Sequence, residues 1–260
     1  SVIDDGQYTL MTQRFGTHSD KPGDVFWDLF RLGNQNPNAG NTESILVWQM
    51  EYGVPGGEAP YRFEREWGPF LEQLRDPYGN KAIIPADTLG RPIAFFIPSP
   101  YMETEIWQSD FNNDIRNSKY NMQRVFYNNN PDSPEFGNVI VPTAAQKYRG
   151  HFVWVKKASH PHGYDQGGRL YSDIYAIRLA ETYLLRAEAH LKNNDPANAA
   201  ADINVIRGRA QATPVDPAEV DIDYLLDERA RELVGEEPRR LTLARMELLY
   251  DRVTRYNAIS

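Results

Sequence analysis

The chain contains no cysteine, which removes disulfides, thiolate metal sites and cysteine nucleophiles together. Such a composition fits either side of a membrane and leaves the compartment open. Long apolar runs are also missing. None approaches the roughly eighteen consecutive residues that a bilayer-spanning helix needs. Positive charge is in deficit, 28 Lys and Arg against 36 Asp and Glu for a net −8, so wholesale binding to nucleic acid is disfavoured. Ser1 to Leu10 has neither the basic start nor the apolar core of a secretion signal. The chain is therefore expected to be cytoplasmic, already processed or a fragment. No Ser-His-Asp order, phosphate-cradling glycine loop or H-E-x-x-H pattern occurs, and no enzymatic activity is expected.

What is present is 260 residues of ordinary globular composition, 41% hydrophobic and 12% aromatic, enough for a large core. The character changes near residue 170. Upstream, glycine and proline gather in "YGVPGGEAPY", "FFIPSPY" and "NNNPDSPEFG", the chemistry of turns and long loops. One helix is expected there at "GDVFWDLFRLG", capped by Asp24, ended by Gly33 and presenting Phe26, Trp27, Leu29 and Phe30. "ESILVWQMEY" reads as a strand or a short helix, "HFVWVKK" as a short strand, and "KAIIP" and "PIAFFIP" as weaker strand candidates.

Downstream, helical periodicity takes over. Ile177, Ala180, Leu184, Ala187 and Leu191 fall on one stripe. Asp195-Pro196 is a cap and first-turn pair for a second helix that buries Ala199, Ile203, Ile206 and Ala210. Alanines on both stripes let the pair pack closely as an antiparallel hairpin. A third helix starts at Asp221 to Asp223, carries Leu225, Leu226, Ala230, Leu233 and Val234, and stops at Gly235. A fourth follows Pro238 with Leu241, Met246 and Leu249 as its apolar face.

Several constellations invite a chemical reading. His160, His162 and Asp165 in "HPHGYD" have metal-ligand chemistry, but the spacing supplies no further ligand, and an exposed loop is the simpler account. Asp110, Asn112 and Asp114 alternate as in a calcium loop, yet Ile115 and Asn121 stand where its glycine and glutamate belong. An Asp114–Arg116 bond is the better reading. In "LDERARELVGEEPRR" the alternating charges of Glu228, Glu232, Glu236, Glu237 and their arginines mark a solvated or ion-paired helix face. Glu188 and Lys192 stand in the favourable i,i+4 order, and Arg178 and Glu181 are expected to bond adjoining helices.

The loop aromatics Tyr52, Tyr61, Trp67, Phe95, Phe96, Tyr101 and Trp107 are interleaved with Arg62, Glu64, Arg65, Glu66 and Glu103. Sugar rings lay their C–H faces on aromatic rings while polar groups take the hydroxyls, so exposed Trp and Tyr suit a carbohydrate platform. The alternative is that these rings pin long loops onto the core. Tyr61, Trp67, Tyr101 and Trp107 are the candidate ligand-binding residues; none is a candidate for catalysis or metal binding.

The segments "DIYAIRLAETYLLRAEAHL" (173–191), "PANAAADINVIRGRA" (196–210) and "LLDERARELVGEEPRRLTLAR" (225–245), with "DDGQYTL", "NTESILVWQ" and "NDIRNS" upstream, resemble the SusD/RagB family of outer-membrane nutrient-binding lipoproteins. Arg240 departs from the family's aromatic after the first arginine of its motif. The resemblance implies a mainly α, SusD-like fold with tetratricopeptide-type helical hairpins, long irregular loops and a few short strands. Residues 1–260 form a single region, with 1–170 the loop-rich ligand-side part and 171–260 the helical scaffold. The family's N-terminal half, which carries a lipidated cysteine, is expected to be missing. It further implies non-catalytic capture of oligosaccharides at the outer face of the outer membrane and delivery to a TonB-dependent, SusC-like transporter. No cofactor and no nucleic acid are implied, and membrane attachment comes only through the lipid anchor. The alternatives are capture of peptides or glycopeptides by the same architecture, and a tetratricopeptide-type scaffold whose ligand is a protein. The family motifs transfer no ligand residue, so the four aromatics rest on their loop positions alone.

Overall fold

The computed structural model describes residues 1–51, 53–57, 63–84, 92–157, 159 and 171–256. Short elements dominate the first two thirds. They are α1 (Val25–Asp28), β1 (Ser44–Trp48), α2 (Phe63–Trp67), α3 (Pro100–Glu103), β2 (Met122–Gln123), α4 (Ala144–Gly150) and β3 (Trp154–Val155). Then β4 (Ile174–Arg178) leads directly into α5 (Leu179–Lys192), followed by α6 (Pro196–Arg209), α7 (Ile222–Leu233), α8 (Arg239–Arg245) and α9 (Leu249–Tyr256). Two antiparallel pairs, β1 with β4 and β2 with β3, are the strand ladders among these residues.

The helical hairpin forms as its residue pattern dictates. Asp195 accepts from the Asn198 amide at 3.1 Å and Pro196 occupies the first turn of α6. Asn194 takes a left-handed conformation at φ 57° to close the α5–α6 connection, a role open to asparagine because its short polar side chain tolerates it. Ala180, Leu184 and Ala187 of α5 meet Ala199, Ala200, Ile203 and Ile206 of α6, all buried, and Leu225 and Leu233 of α7 complete the core. Asp221 caps α7, its side chain accepting from the Tyr224 amide at 2.8 Å. Gly235, at φ 79°, follows the helix. A Cβ there would lie 1.8 Å from Phe63 Cε2, so only glycine lets α7 end against the ring of α2.

Several expectations need correction. Ile177 belongs to β4, opposite Leu46, and is exposed, because the chain enters α5 only after Arg178 and alternates until then. The helix after Asp24 is one short turn: Asp24 does accept from the Trp27 amide at 2.7 Å, but Leu29 already ends it. "KAII" and "PIAFFIP" form no strand; Ile83 is buried in irregular chain, and Ala94 has φ 58°. In α8 the buried residues are Thr242 and Leu243, while Leu241 points to solvent. "ESILVW" resolves as strand, and within "HFVWVKK" Trp154 and Val155 pair with β2. His160, His162 and Asp165 lie outside the described residues. Asp114 and Arg116 do pair, at 2.6 Å.

The charges of α7 are ion-paired as expected but buried rather than solvated. Glu232 accepts from Arg178 Nη1 at 2.6 Å, from Arg116 Nη1 at 3.1 Å and from Arg209 Nη2. One turn earlier, Glu228 accepts from Arg116 at 2.7 Å, Arg231 at 2.9 Å and Arg207 at 3.1 Å. Arg178 and Arg209 both reach Glu43, at 2.7 and 3.2 Å. Arg178 and Lys157 converge on Glu236, each at 2.6 Å, and Arg207 also pairs with Asp110 at 2.5 Å. The network is neutral, with Arg116, Lys157, Arg178, Arg207, Arg209 and Arg231 against Glu43, Asp110, Asp114, Glu228, Glu232 and Glu236. Burial alone would raise the Glu228 carboxyl, but Arg116, Arg231 and Arg207 outweigh it and hold it at about 2. Burial pulls the Lys157 ammonium down to about 8 despite Glu236.

The other α5 pairs are simpler. Arg186 grips Asp202 of α6 at 2.8 and 2.6 Å. Glu188 pairs with Lys192 at 2.8 Å and accepts two bonds from Arg245, at 2.6 and 2.7 Å.

Two measurements follow from these charges. Glu232→Gln removes one negative charge from beneath three arginines and is expected to cost about 3–5 kcal/mol in urea unfolding. Glu219→Gln, on an exposed turn, should cost less than about 0.5 kcal/mol. Equal small effects would show that the network contributes nothing. Hydrogen bonding from Arg245, opposed by burial and aided by Lys192, lowers the Glu188 carboxyl from 4.5 to about 2. A depressed carboxylate stabilises the fold above its unfolded pKa and loses that contribution as pH falls through the folded one. The stability difference between the native chain and Glu188→Gln should therefore be full above about pH 4.5 and vanish near pH 2.

Candidate functional site

A cavity of about 910 Å³ opens where α3 and the segment before it face α7, α8 and α9. Its position follows from local chemistry. Ser99 caps α3 by accepting from the Met102 amide at 3.4 Å, and Pro100 begins the turn. The turn carries Tyr101 toward α7, where its hydroxyl donates to Asp227 Oδ2. Asp227 Oδ1 accepts from Arg252 Nη2 at 2.5 Å, and Arg252 Nη1 reaches Asp223 at 2.9 Å. Tyr256, one turn beyond Arg252, brings its ring to 4.2 Å from that of Tyr101, and the Arg252 guanidinium lies 4.3 Å over the Tyr256 ring.

Tyr101, Tyr256, Asp227 and Arg252 thus form one wall of the cleft. Burial first, then Asp227, pushes the Tyr101 hydroxyl well above its ordinary range, so it stays protonated and bonded. Phe111, Phe152, Leu243 and Val253 supply apolar surface, and Glu103, Arg124, Lys147, His151 and Arg239 add polar groups. Burial lowers the His151 imidazole, leaving it neutral near pH 7. A concave, mostly apolar wall with a few polar groups is the usual build of a small-molecule site. Among the described residues no group of three or more His, Asp or Glu is placed to hold a metal ion, and no helix is long and apolar enough to cross a membrane.

Of the three described aromatics singled out by position, Trp67, Tyr101 and Trp107, only Tyr101 lines this cleft. Trp107 is 2% exposed and donates its ring N–H to the Met102 carbonyl at 3.1 Å. It packs with Phe63, Ile106, Met122, Val153 and Val155, a core residue rather than a platform. Trp67 is half-buried, stacked on Phe63 at 5.5 Å and tilted against Phe96 at 5.2 Å. Tyr61 and Tyr52 lie outside the described residues. Trp67 and Tyr101 both pack against the apolar cluster that contains Trp107 and joins α2 and α3 to β2 and β3. Phe95, Phe96 and, on β1, Trp48 are exposed. Tyr256, Asp227 and Arg252 escaped the sequence reading. The only signal was two i,i+4 pairs, Asp223/Asp227 and Arg252/Tyr256, whose meeting needs two helices to cross.

The chain was compared with known proteins. Residues 101–258 match the family model described as the SusD family. A SusD-like protein, P25, from Formosa agariphila is 42% identical over 81 residues, 29% of this chain and 15% of that protein. Among solved structures, surface glycan-binding protein A from Bacteroides uniformis aligns with a TM-score of 0.58 at 20% identity, over 95% of this chain and 43% of that one. Surface glycan-binding protein A from Bacteroides thetaiotaomicron, in complex with laminarihexaose, aligns at 0.59 and 18% identity, over 95% and 48%. The chain thus spans less than half the length of these proteins. The structural alignments establish the fold as SusD-like, and the family model covers more than half of the sequence; the chain belongs to the SusD/RagB family.

Proposed function

We propose that the protein captures oligosaccharides without catalysis at the outer face of the outer membrane and hands them to a TonB-dependent transporter. The observation that carries the reading is the cleft. A Tyr101–Tyr256 ring pair is fixed beside Asp227 and Arg252 in a cavity large enough for several sugar units. Aromatic faces and a small number of fixed polar groups are what a glycan site requires. Family membership and the relatives named as surface glycan-binding proteins support it. Anchoring would come through lipid, as the resemblance to a family of outer-membrane lipoproteins implies. Tyr101 is the ligand-contacting residue of this reading. Trp67 contributes the edge of the aromatic cluster, and Trp107 supports from beneath.

Calorimetry against neutral and acidic oligosaccharides tests the proposal. At least one class should bind with no release of shorter products. Tyr101→Ala should weaken that binding about three- to tenfold, the scale of one aromatic contact. Trp107→Phe should leave affinity unchanged while lowering stability. Failure of every oligosaccharide to bind the folded chain, or steady product release, would sink the reading.

A further inference from the structure

We infer that the cleft takes an acidic oligosaccharide, one bearing carboxylate or sulfate groups, rather than a neutral one. The inference rests on the glycan-capture reading and deepens it. It comes from how the cleft's charges are matched. Its acids are largely committed. Asp227 is held by Tyr101 and Arg252, and Glu103 Oε1 accepts from the Val153 amide at 3.1 Å. Arg252 in turn is matched by Asp223 and Asp227.

Three other cations on the same walls donate no hydrogen bond to a carboxylate among the described residues. Arg124 is half-buried and donates only to neutral oxygens. These are the carbonyls of Glu103 at 2.8 Å, Met122 at 3.2 Å and Asn117 at 3.4 Å, and the Asn117 side chain at 2.6 Å. Its guanidinium lies 4.8 Å over the Phe111 ring. Lys147 is exposed and forms no ion pair among the described residues. Arg239 stands 3.7 Å from Glu237, and its buried Nη1 has no hydrogen-bond partner.

The protein as a whole is acidic, at −8, so an anionic ligand would be repelled from most of its surface. A cleft with spare cationic groups and low-dielectric walls focuses the opposite field locally. Charge-assisted bonds from a guanidinium to a carboxylate or sulfate are about twice as strong as neutral ones. Arg124, its terminal N–H groups taken by neutral oxygens, adds positive charge beside the Phe111 face, and the exposed Lys147 ammonium supplies the donor for an acid group.

The test is calorimetry on the full chain with three probes: oligogalacturonate, a sulfated galactan oligosaccharide and a neutral laminari-oligosaccharide. An acidic probe should bind more tightly than the neutral one, and its affinity should fall about tenfold between low salt and roughly 0.3 M NaCl. The first two probes separate carboxylate from sulfate. Lys147→Gln, at an exposed position, should weaken the acidic probe about threefold with circular dichroism unchanged, and Lys147→Arg should restore it. Binding of the neutral probe alone, acidic binding indifferent to salt, or a Lys147→Gln variant that binds the acidic probe undiminished overturns the inference and leaves glycan capture standing. If none of the three probes binds, the inference falls, and glycan capture falls with it only when every other oligosaccharide also fails to bind.

Discussion

Everything in this molecule is arranged around two glutamates on one face of α7. Glu228 and Glu232 stand one turn apart, inaccessible to water, and gather arginines from four separate stretches of chain. Burying so many charges is costly, and such a network is not in itself a source of stability. Its value is positional. Each guanidinium has a fixed fork of donors, and a carboxylate with several of them satisfied leaves little freedom for the segments that carry them. The irregular stretch 110–116, Glu43 just before β1 and Lys157 just beyond β3 are thereby fastened to the helices without any long strand ladder.

That fastening accounts for the loop-rich part. Two strand pairs of five and two residues would not organise it alone. The apolar cores beneath it are several and modest, so charge pairing and capping turns share the task of fixing the chain. The cleft inherits this arrangement. Asp227 precedes Glu228 directly, so the helix that turns its glutamates inward to the arginines turns the adjacent carboxylate toward Tyr101 and Arg252. The scaffold and the site are two faces of one helix.

The helical third was legible because its information is local. Asp195-Pro196, Asp221 and the alanine stripes of α5 and α6 specify caps and packing faces within a few residues. Ile177 was misplaced because an apolar residue at helical spacing also fits a strand that runs straight into a helix. The charges of α7 read as a solvated or ion-paired face, since alternation of sign carries no record of depth; their burial depends on Glu43, Asp114 and Arg116 arriving from far away. Much the same holds for the aromatics. Trp107 and Tyr101 stand six residues apart in similar loop sequence, yet one ring turns into the core and the other onto the cleft. That choice is made by Asp227 and Met102, through hydrogen bonds that pattern alone cannot foresee.

The bond from the Tyr101 hydroxyl to Asp227 has a consequence for selectivity. A tyrosine usually offers a visitor two things, a flat greasy face and a polar tip that can read hydroxyl stereochemistry. Here the tip is spoken for, and burial keeps its proton in place. What remains is an achiral surface that discriminates by flatness and is blind to whether a neighbouring hydroxyl is axial or equatorial except through shape. On the proposed glycan-capture reading, discrimination between epimers at this wall falls to other side chains around the rim, and a Tyr101→Phe exchange would alter the anchoring of the ring without altering what the ring can recognise.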